Sequence, residues 1–249
     1  MNSIAALAGF NFQVSRDICP IHSELKIKAG SSLICGTCAK ENVIQSNLQH
    51  QKTVDAMVRK KHFEGAKLPS RHAKSGFNEY ITQNDGQKNA KELCVKYTKD
   101  FITGLTRNLI MVGRTGTGKT HLSCAVARNA LDKGKFARYI TSEDMAAEIA
   151  NAWTKPDDNE AQAVYRFTEY DLLILDEYGL HDRHENRLQL VHKVLYARYD
   201  EGKPTMLISN FTLEELRKDL GDRLWSRFQH DGLDVVECNW ADQRVGGGW

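Results

Sequence analysis

A chain of 249 residues, 41% hydrophobic and 27% charged, has the composition of a globular protein with room for one large domain or a small one beside a large one. No stretch approaches the ~20 apolar residues a membrane helix needs, and the mildly apolar start lacks the basic residues of a signal peptide, so a cytoplasmic protein with no membrane partner is expected. The net charge of +2 hides an asymmetry: residues 1–104 carry 15 Lys/Arg against 9 Asp/Glu, whereas residues 105–249 carry 19 against 23. A basic front part points to a polyanion or an acidic protein partner, with a plain solvated lysine surface as the alternative.

The first motif is a set of metal-type ligands. Cys19-Pro-Ile-His22 and Cys35-Gly-Thr-Cys38 are two short pairs, expected on tight turns, that can close a tetrahedral Zn²⁺ shell. About 40 residues can hardly bury a core unaided, so the metal would supply folding energy. Disulfides and unpaired thiols are the competing readings, and a reducing cytosol disfavours the first. Four protein ligands leave no open position, which makes the zinc structural. Cys94, Cys124 and Cys238 stand singly among apolar residues and read as core.

Val43, Ile44, Leu48, Val54, Met57 and Val58 recur at helical steps, which predicts a helix over 41–64 with a basic end, Arg59-Lys-Lys61. Residues 65–78 read as an irregular linker, and Lys88 to Gly104 as a helix. Three domains are expected: a zinc module at 1–40, helix and linker at 41–78, and the main domain at 79–249.

The main domain opens on Asn108 to Val112, an apolar strand, followed by Gly113-Arg114-Thr115-Gly116-Thr117-Gly118-Lys119-Thr120. These eight residues match the phosphate-binding pattern G-x-x-x-x-G-K-[ST] in full. The glycines let the backbone turn and aim N–H groups at one anion, Lys119 reaches the β- and γ-phosphates, and the Thr120 hydroxyl can hold Mg²⁺. A helix from His121 follows, its N-terminus turned toward the phosphates. ATP and Mg²⁺ are therefore the expected ligands.

Phe136 to Thr141 reads as a strand, with Ser142 capping a helix from Glu143 to about Trp153. A helix over Ala161 to Tyr170 precedes the strand Asp171-Leu-Leu-Ile-Leu-Asp176-Glu177. Its unbroken apolar run implies burial on both faces, as in a parallel sheet. Asp176 at its end would join the Mg²⁺ shell, and Glu177 could polarise an attacking water. A helix over Arg187 to Tyr199 and a strand over Pro204 to Ser209 follow. Asn210 ends that strand, where its amide can face the γ-phosphate. Thr212 to Glu215 is a capping box. Arg223 and Arg227, four apart, could share a basic helix face or pair with Asp219 and Asp222. Leu233 to Glu237 is the last strand. Alternating strands and helices make the fold class α/β, a parallel sheet flanked by helices.

Five segments in order, Gly113–Thr120, Tyr170–Leu180, Ile208–Asn210, Leu220–Phe228 and Asn239–Arg244, resemble the DnaC-type AAA+ replicative helicase loaders of the DnaC/IstB-like ATPase family. The resemblance covers about residues 60–249 and includes Ser75-Gly-Phe-Asn-Glu-Tyr80. It implies that Lys119 and Thr120 are Walker A, Asp176 and Glu177 Walker B, and Asn210 sensor 1. Arg227, or else Arg223, is implied as the arginine finger acting on a neighbour's ATP, and Arg244 as sensor 2. Residues Gly113 to His121 are then the nucleotide contacts. A homo-oligomer of about six subunits is implied on a DnaB-type helicase, with single-stranded DNA as a further partner. The zinc-type front end is a departure from the family, and only five residues follow Arg244, too few for a helical lid. A phage or prophage member is the expected source. An IstB-type transposition helper ATPase shares the same core and is the alternative. A non-hydrolysing adaptor is disfavoured by Lys119, Asp176 and Glu177.

Overall fold

The computed structural model describes residues 13–180 and 185–243. The chain divides into two compact units, Met1–Val58 and Arg59–Trp249. The first unit holds three antiparallel strands, β1 (Gln13–Ile18), β2 (Leu25–Ala29) and β3 (Ser32–Ile34), in that order. They were not expected from the sequence, being short and mostly exposed. Helix α1 (Gly36–Gly65) is longer than the predicted 41–64 and buries no residue. It starts inside the Cys35/Cys38 pair, so Cys38 lies on a helical turn and not in a free loop. The boundary drawn at residue 40 therefore cuts a continuous helix. Among the described residues of this unit only Cys19 and Cys35 are buried.

The second unit begins at Arg59, earlier than the expected 79. The segment read as a linker packs into it. Ala66 is fully buried, its carbonyl accepts from the Tyr139 N–H at 2.8 Å, and Ser75 is buried. Only a single 3₁₀ turn, Ser70–His72, interrupts its irregular path. Irregular backbone can still be core when neighbouring strands satisfy its polar groups.

Helix α2 (Asp85–Ile102), capped by the Asn84 side chain, leads to a five-stranded parallel sheet. Its strands are β4 (Asn108–Gly113), β5 (Ala137–Thr141), β6 (Leu172–Tyr178), β7 (Thr205–Ser209) and β8 (Leu233–Cys238), in the order β5-β6-β7-β4-β8. The remaining helices are α3 (Lys119–Asp132), α4 (Ser142–Ala152), α5 (Glu160–Arg166), α6 (Glu185–Asp200) and α7 (Leu213–His230).

The strands' period of two sorts the core. Leu109, Met111, Ile174 and Met206 face one side with α2 and α3. Ile110, Val112, Leu173 and Leu207 face the other with α4 to α7. Burial on both faces is why these strands read as unbroken apolar runs. Buried Arg198 of α6 bonds the carbonyls of Phe167, Tyr170 and Pro204 and the Thr205 hydroxyl, tying α6 to the chain just before β6 and to the start of β7.

Two local details differ from the sequence expectation. The cap of α4 is Thr141, which accepts from the Asp144 N–H, and Ser142 is already helical. Helix α7 keeps its Thr212–Glu215 capping box but kinks at Gly221, which takes φ +71°, ψ 162°. That conformation is open to glycine alone at no steric cost. No described helix is long and apolar enough to cross a membrane.

Candidate nucleotide-binding site

The carboxyl ends of β4, β7 and β6 lie side by side, because β7 sits between the other two. Each end contributes one polar element. From β4 the chain enters the Gly113–Thr120 loop, with Gly113, Gly116 and Gly118 all at positive φ. At Gly118, φ is +91° and a Cβ would stand 2.7 Å from the Tyr80 ring. Any side chain there would collide as well as strain the backbone. Lys119 Nζ donates to Asn210 Oδ1 at 2.9 Å, and to the carbonyls of Gly113 and Arg114 at 2.6 and 2.8 Å. Asn210, just after β7, thus meets Lys119, whereas the sequence placed its amide toward the γ-phosphate.

From β6 come the two acids. Asp176 is buried, and its Oδ2 accepts from Thr120 Oγ1 at 2.9 Å and from Tyr139 OH at 2.6 Å. Its Oδ1 accepts from the Glu177 N–H at 2.7 Å. Glu177 is exposed and has φ +58°, a left-handed conformation that costs a residue with a Cβ. The β6–β7 register shifts between Leu175 and Tyr178, so the acids sit on an irregularity that turns neighbouring side chains differently. One carboxylate is buried and fixed, and the other is exposed.

These groups line one cavity of about 510 Å³. Residues Thr115 to His121 line it together with Asp176, Glu177 and Asn210. Arg71, His72 and Ser75 from the segment read as linker, and Glu79 just after it, also line it. His121 Nε2 lies 3.0 Å from the Gly76 carbonyl and ties that segment to α3. The cavity joins an anion cradle, a cation, a hydroxyl–carboxylate pair of the type that holds Mg²⁺, and a projecting acid. That donor set fits a nucleoside triphosphate with Mg²⁺.

Other expected site residues lie elsewhere. Arg227 packs near the amino-terminal ends of β4 and β7, at the far end of the sheet from its own P-loop. Its guanidinium lies 4.5 Å from the Tyr196 ring centre and 4.8 Å from that of Tyr199, with Asp200 Oδ1 at 3.9 Å. It pairs with neither Asp219 nor Asp222. Arg223 is exposed. Arg244 lies outside the described residues.

A second site is in the first unit. The ligand atoms of Cys19, His22, Cys35 and Cys38 all lie within 4.8 Å of one another. Cys19 Sγ and Cys38 Sγ are 3.6 Å apart, and His22 Nδ1 is 3.8, 3.7 and 3.3 Å from the sulfurs of Cys19, Cys35 and Cys38. A tetrahedral zinc with ordinary bond lengths sets sulfurs about 3.7 Å apart and sulfur from nitrogen about 3.5 Å. The four donors therefore fit that ion. The remaining ring nitrogen, Nε2, lies 3.2 Å from Glu41 Oε1, a carboxylate placed to fix the tautomer of a metal-bound imidazole.

Sequence reasoning assigned no role to Tyr139, Tyr80, Trp240 or Glu41. For Tyr139 and Glu41 no local signal exists, since both reach their partners through tertiary structure. Tyr80 and Trp240 fall inside segments that carried the resemblance.

The IstB-like ATP binding protein family matches residues 36–233 of this chain. The replicative helicase loader DnaC of Escherichia coli (strain K12) is 25% identical over 225 residues, covering 90% of this chain and 91% of that one. Among solved structures, the DnaC helicase loader aligns with a TM-score of 0.61 at 20% identity, over 68% of this chain and 99% of that one. AMPPCP-bound DnaA from Aquifex aeolicus aligns with a TM-score of 0.57 at 23% identity, over 69% and 51%. At these identities the two structures bear on the fold.

Burial pushes the Tyr139 hydroxyl well above its ordinary pKa, with Asp176 adding to the shift, so it stays a donor to that carboxylate. Tyr139→Phe removes the donor and keeps the ring. The Mg²⁺ concentration for half-maximal ATP turnover should rise several-fold, while metal-free nucleotide binding holds. An unchanged Mg²⁺ titration would reduce Tyr139 to packing.

Proposed function

We propose a function from one premise: the chain belongs to the IstB-like ATP binding protein family. It is an AAA+ ATPase of the DnaC type. We infer that it loads a DnaB-type replicative ring helicase onto single-stranded DNA, working as a ring of subunits in the cytoplasm. The observation that carries this reading is the joined set of Lys119, Asn210, Thr120, Asp176 and Glu177 at three adjacent strand ends, in a chain similar to DnaC over nine-tenths of its length.

Lys119 neutralises phosphate charge, and the loop N–H groups bind the same oxygens. Thr120 and Asp176 hold the Mg²⁺, which when bound offsets charge on the phosphates. Glu177, exposed next to the buried carboxylate, orients a water and takes its proton. Asn210 fixes the water side of the γ-phosphate. Arg227 acts on a neighbour's ATP, with Arg223 the second choice, and Arg244 acts as sensor 2. A finger at the far end of the sheet from its own P-loop suits action in trans. Stacking on Tyr196 and Tyr199 keeps its planar fork ordered.

The first unit binds zinc through Cys19, His22, Cys35 and Cys38 and serves to grip the helicase. Its few buried residues support a metal-dependent fold.

The decisive experiment is co-purification with replicative helicase against transposase. Glu177→Gln should retain ATP, hydrolyse it at least tenfold more slowly, and hold the helicase more stably than wild type. Capture of a transposase in place of helicase would favour the transposition-helper reading, and unaltered turnover would remove Glu177 from its role.

The trans assignment has its own measurement. Arg227→Ala should lose roughly 10³-fold in turnover on the assembled complex, with nucleotide affinity nearly intact. Mixing it with Lys119→Ala should restore part of the rate, because some interfaces then join a sound loop to a sound finger. A co-assembled mixture as inactive as either parent would pass the role to Arg223.

Purified under reducing conditions, the protein should carry about one zinc per chain. Replacing Cys35 and Cys38 by Ser should abolish both the zinc and helicase capture and leave basal ATP hydrolysis in place. Metal analysis without zinc would refute the site.

A further inference from the structure

The P-loop is held from outside by two segments distant in sequence. The Thr117 carbonyl accepts two hydrogen bonds, one from the Tyr80 hydroxyl at 3.2 Å and one from the Trp240 indole N–H at 2.9 Å. Tyr80 lies just before α2, and Trp240 just after β8. The adjacent Gly116 carbonyl accepts from the Gln243 backbone N–H at 3.0 Å. Thr117 is 1% exposed, and its own hydroxyl is spent on the Arg114 carbonyl at 2.9 Å. A Cβ added at Gly116 would displace the Asp242 carboxylate, and its φ of +78° already favours glycine.

A trans peptide sets its C=O and N–H on opposite sides of one rigid plane. Fixing the Thr117 carbonyl outward therefore turns the Gly118 N–H the other way. Fixing the Gly116 carbonyl does the same for the Thr117 N–H. These peptide planes are the ones most free to rotate, because Gly116 and Gly118 carry no Cβ. An anion cradle needs its N–H groups convergent before the ligand arrives, since ordering them on binding weakens affinity.

We propose that Tyr80 and Trp240 are positioning residues of the nucleotide site: by clamping the Thr117 carbonyl they aim the P-loop N–H groups at phosphate. The segment Asn239 to Gln243 is accordingly part of that site. The inference rests on the P-loop being the ATP site. It adds that loop geometry is set by the chain on both sides of the core, so that a displacement of the segment after β8 lowers nucleotide affinity.

The test uses Tyr80→Phe and Trp240→Phe in the full chain. Each deletes one donor and keeps an aromatic ring. Isothermal titration should give a Kd for ADP and for a non-hydrolysable ATP analogue raised about five- to tenfold in each variant, the value of one hydrogen bond. The two nucleotides should be affected alike, because both present the β-phosphate. In turnover, KM for ATP should rise by more than kcat falls. Adenosine, which has no phosphate, should compete equally well against both variants and wild type, a result that general loosening of the fold would not give. Lys119→Ala is the control: were it to bind ADP like wild type, the P-loop reading itself would fail. With that control sound, unaltered Kd values in folded variants would overturn the clamp. So would a loss of kcat at constant KM, or a loss of adenosine affinity equal to that of ADP. Should Trp240→Phe not fold, Tyr80→Phe alone decides the matter.

Discussion

The nucleotide site depends on one constraint of topology, the insertion of β7 between β4 and β6. Strands in a sheet are about 4.8 Å apart, so the insertion separates the P-loop from the acid-bearing strand by roughly twice that distance. A ligand that meets both Lys119 and Asp176 must span that gap. The gap is bridged from both sides. Asn210, at the end of the inserted strand, takes the lysine, and Thr120 reaches across from α3 to Asp176. The space left between the strand ends opens into the cavity itself. Register matters for the same reason. Thr141 stands opposite Asp176, which brings Tyr139, two residues earlier on β5, within reach of the same carboxylate.

Local strain falls where that geometry is needed. Glu177 is one of three described residues other than glycine with positive φ, and it is the one among them on a core strand. The strain is sustained because Asp176 is pinned at three points and Tyr178 is buried. Between two fixed neighbours the Glu177 backbone has little freedom to relax. The same logic governs the P-loop, whose glycines permit its path but do not select it. Selection comes from bonds to the Gly116 and Thr117 carbonyls, made by residues far away in the chain.

Much of this site was legible in the sequence, and the reason is locality. The P-loop is eight consecutive residues, and the acids end an apolar run whose two-sided burial is written in its composition. Asn210 was found because it ends the next strand. What escaped detection depends on pairing over distance: Trp240 meets Thr117 across 123 residues, and Tyr139 meets Asp176 across 37. The segment 65–78 was misread because it has no periodicity, yet Ala66 and Ser75 are buried through contacts with β5 and within the turn after His72. The strands of the first unit were missed because they are short and mostly exposed, even though Leu25-Lys-Ile-Lys-Ala29 alternates apolar and charged residues. Over so few residues an alternation is too short to separate a strand from chance.

That exposure is itself informative about energy. The second unit has two apolar layers, one on each face of the sheet, and its order follows from burial. In the described part of the first unit, the buried side chains are Cys19 and Cys35, and the apolar residues Val14, Ile18, Ile21 and Leu25 are all more than half exposed. Three short strands and one end of a helix cannot overcome chain entropy on such burial. What converges there instead is a set of four ligand atoms at the spacing of a tetrahedral ion, backed by Glu41. The two units therefore differ in kind. One is ordered by area removed from water. The other has little buried area and a set of four donors compatible with a metal ion. The proposed zinc and nucleotide sites draw on different residues, so a dependence on metal and a dependence on nucleotide can be separated experimentally.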